Sequence, residues 1–600
     1  MCGLAGVMTR DGTPPPASVL AALRDALAHR GPDGRGMLVR GDTALIHLRL
    51  AIVDLATGDQ PLFAPGGAAL VANGEIYNDP DLRRAMAGTP FRTRSDCEPA
   101  VFLAEQEGAG FADRLRGMYA IAVHDLARGR LLLARDPFGI KPLYYIQTAT
   151  LFAFASEPQA LLAAGLAPHG IDERARAELL QLKFTTGAGT IFPGIRRVLP
   201  GETLVVERGA IVERRRRVAL PSGSPARIGH AEALRQLDGV LLDSVTAHLR
   251  ADVPYGLFLS GGIDSSALLA LMRRVTGQRI HAITVGWEGG GALDESREAA
   301  RLAGILGADC HQLEMTQRDF WTLAPRIAAC VDDPTADAAV LPSWLLGRAA
   351  AADGLKVTLC GEGADELFGG YTRYRKRRAP WRWLARRPRA KGVFGDPPGL
   401  AGWRAGIAAA EAATGEGRSP MQAAQAVDCA EWLPNDLLTK LDRTLMAHGV
   451  EGRTPFLDPV VAAFAFRLPD REKAGARFGK TLLRDWLARA FPQAGAYARK
   501  KGFKPPVGAW MAARAAELAP LVAAQPGMAE ALPQGRVRAA FEDAARSAQP
   551  AWSLLFYALW HSHHVLGIDP AGDIGAVLRQ AAGRDGYALP PTKALKVMSV

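Results

Sequence analysis

Ser260-Gly261-Gly262-Ile263-Asp264-Ser265-Ser266 is the stretch whose reading decides the fold of the second half of this 600-residue chain. Before it, Val253-Pro254-Tyr255-Gly256-Leu257-Phe258-Leu259 is short and apolar, the pattern of a buried parallel strand. After it, Ala267-Leu268-Leu269-Ala270-Leu271-Met272-Arg273-Arg274 consists of good helix formers. Strand, glycine loop and helix together make an oxyanion cradle. The glycines let backbone approach the anion, Ser260, Ser265 and Ser266 offer hydroxyls, and the helix start adds free N–H groups and the positive end of its dipole. Asp264 would repel bare phosphate, so its presence calls for a divalent cation such as Mg²⁺ between them. No Gly-Lys-Ser/Thr follows, so this is not a Walker loop.

Working outward, Ile280 to Gly286, Cys310 to Glu314 and Lys356 to Cys360 read as further strands, with an amphipathic helix over Asp294 to Leu306. Strands alternating with helices predict a doubly wound parallel sheet. The strand at Lys356 delivers Gly361-Glu362-Gly363-Ala364-Asp365-Glu366-Leu367-Phe368-Gly369-Gly370-Tyr371 to the same edge as the Ser260 loop. Two acidic glycine loops on one edge require a cation or a charged ligand between them.

The bulk numbers exclude several classes. At 600 residues the chain exceeds a single ordinary core. With 48% hydrophobic and 22% charged residues it reads as soluble and globular. No apolar run approaches the roughly 20 residues of a membrane span, and no signal peptide precedes the first element, so no membrane partner and a cytoplasmic location are expected. The six cysteines are widely spaced, neither a disulfide framework nor a zinc motif. Net charge is +11, and Arg373 to Lys391 contains no acid and two tryptophans. That stretch could bind nucleic acid, but a solvated arginine-rich face is the better reading, so no nucleic-acid partner is expected.

The first half carries its own nucleophile. Removal of Met1 would leave Cys2 terminal, with thiol and α-amine on one residue, the amine able to act as base for the thiol. His29-Arg30-Gly31-Pro32-Asp33 reads as a turn, His47 to Asp54 as a strand, and Ala68 to Ala72 as a strand running into a tight turn at Asn73-Gly74. Asp96 reads as a helix cap, and Met118 to Asp125 with Leu131 to Arg135 as paired strands. In this order, from Cys2 to about Glu157, these motifs resemble the class II glutamine amidotransferase domain, an N-terminal-nucleophile hydrolase with an αββα sandwich. The resemblance implies that Cys2 attacks the glutamine amide and that the Asn73 side chain and Gly74 N–H hold the oxyanion. It also implies that Arg49 clamps the substrate carboxylate, Asp96 pairs with its ammonium, and backbone around Ile52, Val53 and Glu75 completes the pocket.

Downstream of such a domain, the two acidic loops resemble those of the glutamine-hydrolysing asparagine synthetases, whose synthetase part is an ATP pyrophosphatase. The resemblance covers most of residues 2 to about 510. It implies that Leu259, Val285, Cys360 and Gly361 line the adenosine pocket and that Ser260, Gly261, Gly262, Asp264 and Ser265 hold phosphates. Asp264 and Asp365 would bind Mg²⁺, Glu362 would be the base for ammonia attack, and Lys480 would neutralise the departing pyrophosphate. Glu451 to Asp458 and Lys500 to Phe503 extend the match, in a part expected to be helical. The implied substrates are glutamine, ATP and aspartate, and the sequence leaves open whether the chain forms a homodimer.

The expected organisation is a glutaminase domain at 2–215, a linker at 216–227, a synthetase domain at 228–515, and a helical extension ending in a mobile tail at 516–600. One departure concerns the acceptor. Relatives carry an arginine where this chain reads Asp332-Asp333-Pro334-Thr335-Ala336-Asp337-Ala338-Ala339-Val340, so another residue must hold the acceptor or the acceptor is a different carboxylate, such as a uronic acid. A dead glutaminase domain, as in the β-lactam synthetases, is disfavoured because Cys2, Arg49, Asn73 and Asp96 are all present. A non-enzymatic nucleic-acid binder would explain Arg373 to Lys391 and nothing else.

Overall fold

The computed structural model describes residues 2–168, 170–289, 294–377, 391–395, 397–498 and 505–584. In the first half, two antiparallel sheets face each other. Strand Gly3–Thr9 runs in the interior of one sheet, paired with Thr43–Arg49 on one side and Leu151–Ala155 on the other. Strand Ala69–Ile76 pairs with Gly117–Asp125 in the second sheet. Between the sheets lie Leu4, Leu45, Val71, Ala120, Leu133 and Phe154, all fully buried. Helices Ala17–Ala26 and Pro158–Ala163 cover the outside of the first sheet, and Glu98–Glu107 covers the second. This is the expected αββα sandwich. It follows from strands that are apolar on both faces and can be satisfied only by a layer on each side.

Three local expectations are corrected. The strand at His47 ends at Arg49, and the residues after it leave the sheet before a left-handed Asp54. Asn73 and Gly74 do not form a tight turn. They lie within a strand, opposite Ala120 and Tyr119, and Gly74 is required there because its φ is 150° and a Cβ would meet the Met118 carbonyl oxygen at 2.0 Å. Asp96 does not cap the helix at Glu98, which is preceded by Cys97 without a side-chain cap.

The second half contains an all-parallel sheet in the spatial order Asp309–Met315, His281–Trp287, Tyr255–Phe258, Val357–Leu359, Glu451–Arg453. From Tyr255–Phe258 the chain builds two strands to one side, then crosses to the other. The order reverses between Tyr255–Phe258 and Val357–Leu359, and the loops leaving these two strands open a crevice where ligands bind in open α/β sheets. Helix Ile263–Thr276 follows the first loop, and Ala364–Phe368 the second. Strand Ala210–Arg216 carries the first half's second sheet as far as Arg216, and helix His230–His248 begins the next unit.

From Ala515 the chain is helical through Ala582. Helix Ala548–His564 is buried along most of its length. Its Trp560 donates to the Val331 carbonyl at 3.0 Å and packs on Phe192, ring centroids 5.5 Å apart. It therefore touches both halves. The expected mobile tail from Leu589 and the Lys500 to Phe503 match lie outside the described residues, as does most of the basic stretch. Arg373, its first arginine, is only partly solvated: it pairs with Asp428 at 2.9 Å and lies over the Tyr371 and Trp432 rings.

Candidate active sites

Cys2 stands immediately before a central strand, so the sheet fixes its position rather than a loop. Its backbone N–H donates to Asn73 Oδ1 at 2.9 Å, and its thiol faces the Leu50 carbonyl at 3.9 Å. The Asn73 amide thereby has its oxygen engaged. Its Nδ2 is buried with no hydrogen-bond partner among the described residues. A buried donor costs free energy unless something accepts from it, so Asn73 is poised for an oxyanion beside the thiol. Burial pushes the Cys2 thiol above its ordinary value, so it attacks only with a base at hand.

Arg49 is 7% exposed and held in place. It donates to the carbonyls of Asp54 at 2.5 Å and Val53 at 3.3 Å, and to Asp59 Oδ1 at 2.8 Å. Asp59 is well exposed, so a bound carboxylate can replace it on the guanidinium. Asp96 accepts from Ile76 N–H at 2.5 Å, and burial raises its carboxyl to about 6. Val53, Glu75 and Asp96 line a cavity of about 670 Å³, together with Arg94 and, from the second half, Arg250 and Asp252. Ile52 is absent from that lining. Its carbonyl accepts from Asp252 N–H at 2.9 Å, and its side chain packs in the core. Arg250 has no local motif to announce it. It reaches the rim because the helix ending at His248 points there, and it donates to the Tyr77 carbonyl at 3.1 Å.

The second site is a cavity of about 720 Å³ at the strand-order reversal. Leu259, Ser260, Gly261, Gly262, Asp264, Ser265, Val285, Cys360 and Gly361 all line it, as do Glu362, Asp365 and Lys480. Ser265 Oγ accepts from Ser260 N–H at 3.2 Å and lies 3.1 Å from Ser260 Oγ, which folds the loop back on itself. Gly361 packs close to Asp264: a Cβ there would stand 3.0 Å from Asp264 Cβ, so a side chain would force Asp264 to shift. The two loops are in contact.

Lys480 is 4% exposed and adopts a left-handed backbone with φ 57°, a conformation costly for a residue with a Cβ. Its Nζ bridges Asp264 Oδ2 at 2.5 Å and Asp365 Oδ1 at 2.7 Å. The two acids therefore converge. Asp264 Oδ1 is additionally buried without a hydrogen-bond partner among the described residues. Hard carboxylate oxygens gathered at a phosphate loop fit Mg²⁺. Burial raises the Glu362 carboxyl above its ordinary value, with the Lys440 charge opposing.

Besides Arg250, sequence reasoning missed Lys440 and Asp337. Both line this cavity, 3.3 Å apart. The Lys440 and Lys183 charges hold the Asp337 carboxyl low against its burial. Earlier in the same segment, Asp332 is taken by Arg443 at 2.6 Å, and Asp333 by Arg197 at 2.6 and 2.7 Å. The segment without an arginine thus gives its first two acids to the interface between the halves and its third to the cavity.

The two halves meet through buried charge. Arg30 donates to Asp442 through both terminal nitrogens at 2.9 Å, to Glu157 at 2.5 Å and to the Cys2 carbonyl at 3.3 Å. Asp442 lies on helix Thr439–Met446, which also carries Lys440. Among the described residues no helix is long and apolar enough to cross a membrane.

Residues 236–562 match the family described as asparagine synthase, and residues 1–216 match the glutamine amidotransferase domain. A Mycobacterium tuberculosis relative, provisionally assigned as a glutamine-hydrolysing asparagine synthetase, is 33% identical over 94% of this chain and 97% of its own. Glutamine-hydrolysing asparagine synthetase 1 of Bacillus subtilis is 28% identical over the same shares. Asparagine synthetase B of Escherichia coli is 29% identical over 80% of this chain and 78% of its own.

Proposed function

The chain belongs to the asparagine synthase family, carbon–nitrogen ligases that take nitrogen from glutamine, and from that premise we propose that it makes asparagine from aspartate, glutamine and ATP. The observation that carries the reading is the pairing, in one chain, of a Cys2–Asn73 site with a cavity where Asp264, Asp365, Lys480 and Glu362 meet.

At the first site, removal of Met1 frees an α-amine that takes the Cys2 thiol proton. The thiolate attacks the glutamine amide carbon, the Asn73 Nδ2 and Gly74 N–H groups stabilise the oxyanion, and the proton leaves with ammonia. Water then hydrolyses the thioester to glutamate. Arg49 holds the substrate carboxylate and Asp96 its ammonium. Ammonia passes through the interior to the second site.

There the Ser260 to Ser265 loop holds the ATP phosphates while Leu259, Val285, Cys360 and Gly361 enclose the adenosine. Asp264 and Asp365 would hold Mg²⁺, which supplies charge neutralisation on the phosphates. The acceptor carboxylate attacks the α-phosphorus and expels pyrophosphate, whose charge Lys480 meets. Ammonia attacks the acyl carbon, AMP leaves, and Glu362 takes the proton. A carboxyl raised by burial is the better base for that step. Lys440 and Asp337 offer a cation and an anion to the acceptor, matching an α-amino acid's carboxylate and ammonium.

A second reading keeps this machinery but amidates a different carboxylate. It is favoured by the absence of arginine from residues 332–340. Product analysis with ATP, glutamine and aspartate decides. Asparagine, glutamate, AMP and pyrophosphate in equal amounts are expected, whereas AMP and pyrophosphate released only with other carboxylates would overturn the aspartate reading.

A further inference from the structure

We propose that His281, His311 and Asp353 form a binding site for a divalent transition-metal ion of the zinc class. The site lies where the parallel strands begin, whereas the nucleotide cavity lies where they end, and none of the three residues lines that cavity.

The sheet register makes the cluster. His281 opens strand His281–Trp287 and stands opposite Asp309, while His311 stands opposite Ile283. His311 is therefore two residues further along the neighbouring strand, and alternate residues share a face, so the two imidazoles lie on one side of the sheet. Asp353 follows the last residue of helix Val340–Ala352 and reaches the same point. Nε2 of His281 is 2.8 Å and Nδ1 of His311 2.7 Å from a single oxygen, Asp353 Oδ2. All three donor atoms lie within 4.8 Å of one another.

Two imidazoles and a carboxylate are the donor set that zinc and its neighbours prefer. Around a tetrahedral ion, adjacent donors stand roughly 3.3 Å apart, so the histidine-to-aspartate spacing must open by about half an ångström. The side chains can make that adjustment, being 35%, 38% and 19% exposed. The same exposure leaves solvent access for a water as fourth ligand. A bound ion would tie two strands to the end of a helix whose other end reaches the nucleotide cavity at Ser343. Its role would be a clamp on that helix, without part in the chemistry.

The test is calorimetric titration of the full, chelator-dialysed chain with zinc chloride in excess Mg²⁺. One zinc site is expected, with affinity falling roughly tenfold or more in H311Q and D353N and unchanged in C2A, which excludes the active-site thiol. Zinc should raise the thermal midpoint of the wild type and not of H311Q. Circular dichroism checks that the metal-free variants fold, and cobalt loading gives a visible absorption band that H311Q should lose. Absence of zinc uptake by the wild type, equal uptake by H311Q and D353N, or anomalous scattering that places the ion elsewhere would each overturn the site.

Discussion

Lys480 Nζ lies 2.5 Å from Asp264 Oδ2, a contact between residues 216 positions apart. The lysine's left-handed backbone is the local cost of holding that contact, and such strain concentrates where position matters for chemistry. K480A should therefore lower pyrophosphate release by roughly 10²–10³-fold, the usual penalty for removing one preorganised charge stabiliser. Glutamine hydrolysis should be unchanged, since Cys2 lies in the other half. Stopped-flow detection of pyrophosphate beside a glutaminase assay measures both. Equal loss of the two activities would assign Lys480 a structural role instead.

If Asp96 holds the substrate ammonium as proposed, glutamine binding should depend on pH. Its carboxyl is raised to about 6 by burial, so it becomes protonated as pH falls through that value and no longer pairs with an ammonium. KM for glutamine should rise below pH 6 in the wild type. In D96N it should be high and flat. Stability has the opposite sign. With a folded value above the ordinary 3.8, the folded state keeps a proton that the unfolded chain releases, so the charged group weakens the fold as pH rises through this window. D96N should thus be more stable at pH 7, by up to about 3 kcal/mol, in denaturant titrations.

Arg30 and Asp442 form a buried pair between the halves, and Arg30 also donates to the Cys2 carbonyl. Removing one partner of a buried pair strands the other, at about 3–5 kcal/mol. D442N should be destabilised on that scale. It should also hydrolyse more than one glutamine per amide formed, because the pair links the nucleophile's strand to the helix of Lys440. A double change to apolar residues, R30M with D442L, should not recover that stability, because it takes the Arg30 donor from buried Glu157 and the Asp442 acceptor from buried Arg443.

What could be read in the chain beforehand depended on how local the signal was. The Ser260 loop, the Gly361 loop and Cys2 were legible because each is contiguous and each carries its reason in its residue types. Asn73-Gly74 could be singled out as candidate oxyanion donors, but its conformation was misread. Asn-Gly is a strong turn former, yet pairing with Ala120 and Tyr119 on an interior strand overrides that preference. Asp96 misled for the same reason: it looks like a cap, but the Ile76 N–H claims it across the fold. Arg250, Lys440 and Asp337 were missed because their importance arises only when distant elements meet. The sequence around Lys440 reads as an ordinary helix face.

The last prediction concerns that lysine. Lys440 is 6% exposed, and burial works against its charge, which Asp337 and Asp436 restore. A cation kept charged at such cost in a ligand cavity is suited to an anionic ligand, and the 3.3 Å contact with Asp337 leaves other ammonium protons free to donate. K440M should raise KM for the acceptor by roughly 10- to 10²-fold, the loss of one charged hydrogen bond at about 1.5–3 kcal/mol, with KM for ATP and for glutamine little changed. D337N should do the same only if the acceptor carries an ammonium. Comparing the two variants on aspartate and on succinate, which lacks the amine, therefore reads the acceptor's chemistry directly: a D337N defect confined to aspartate identifies an α-amino acid, and an equal defect on both returns Asp337 to a purely structural partner of Lys440.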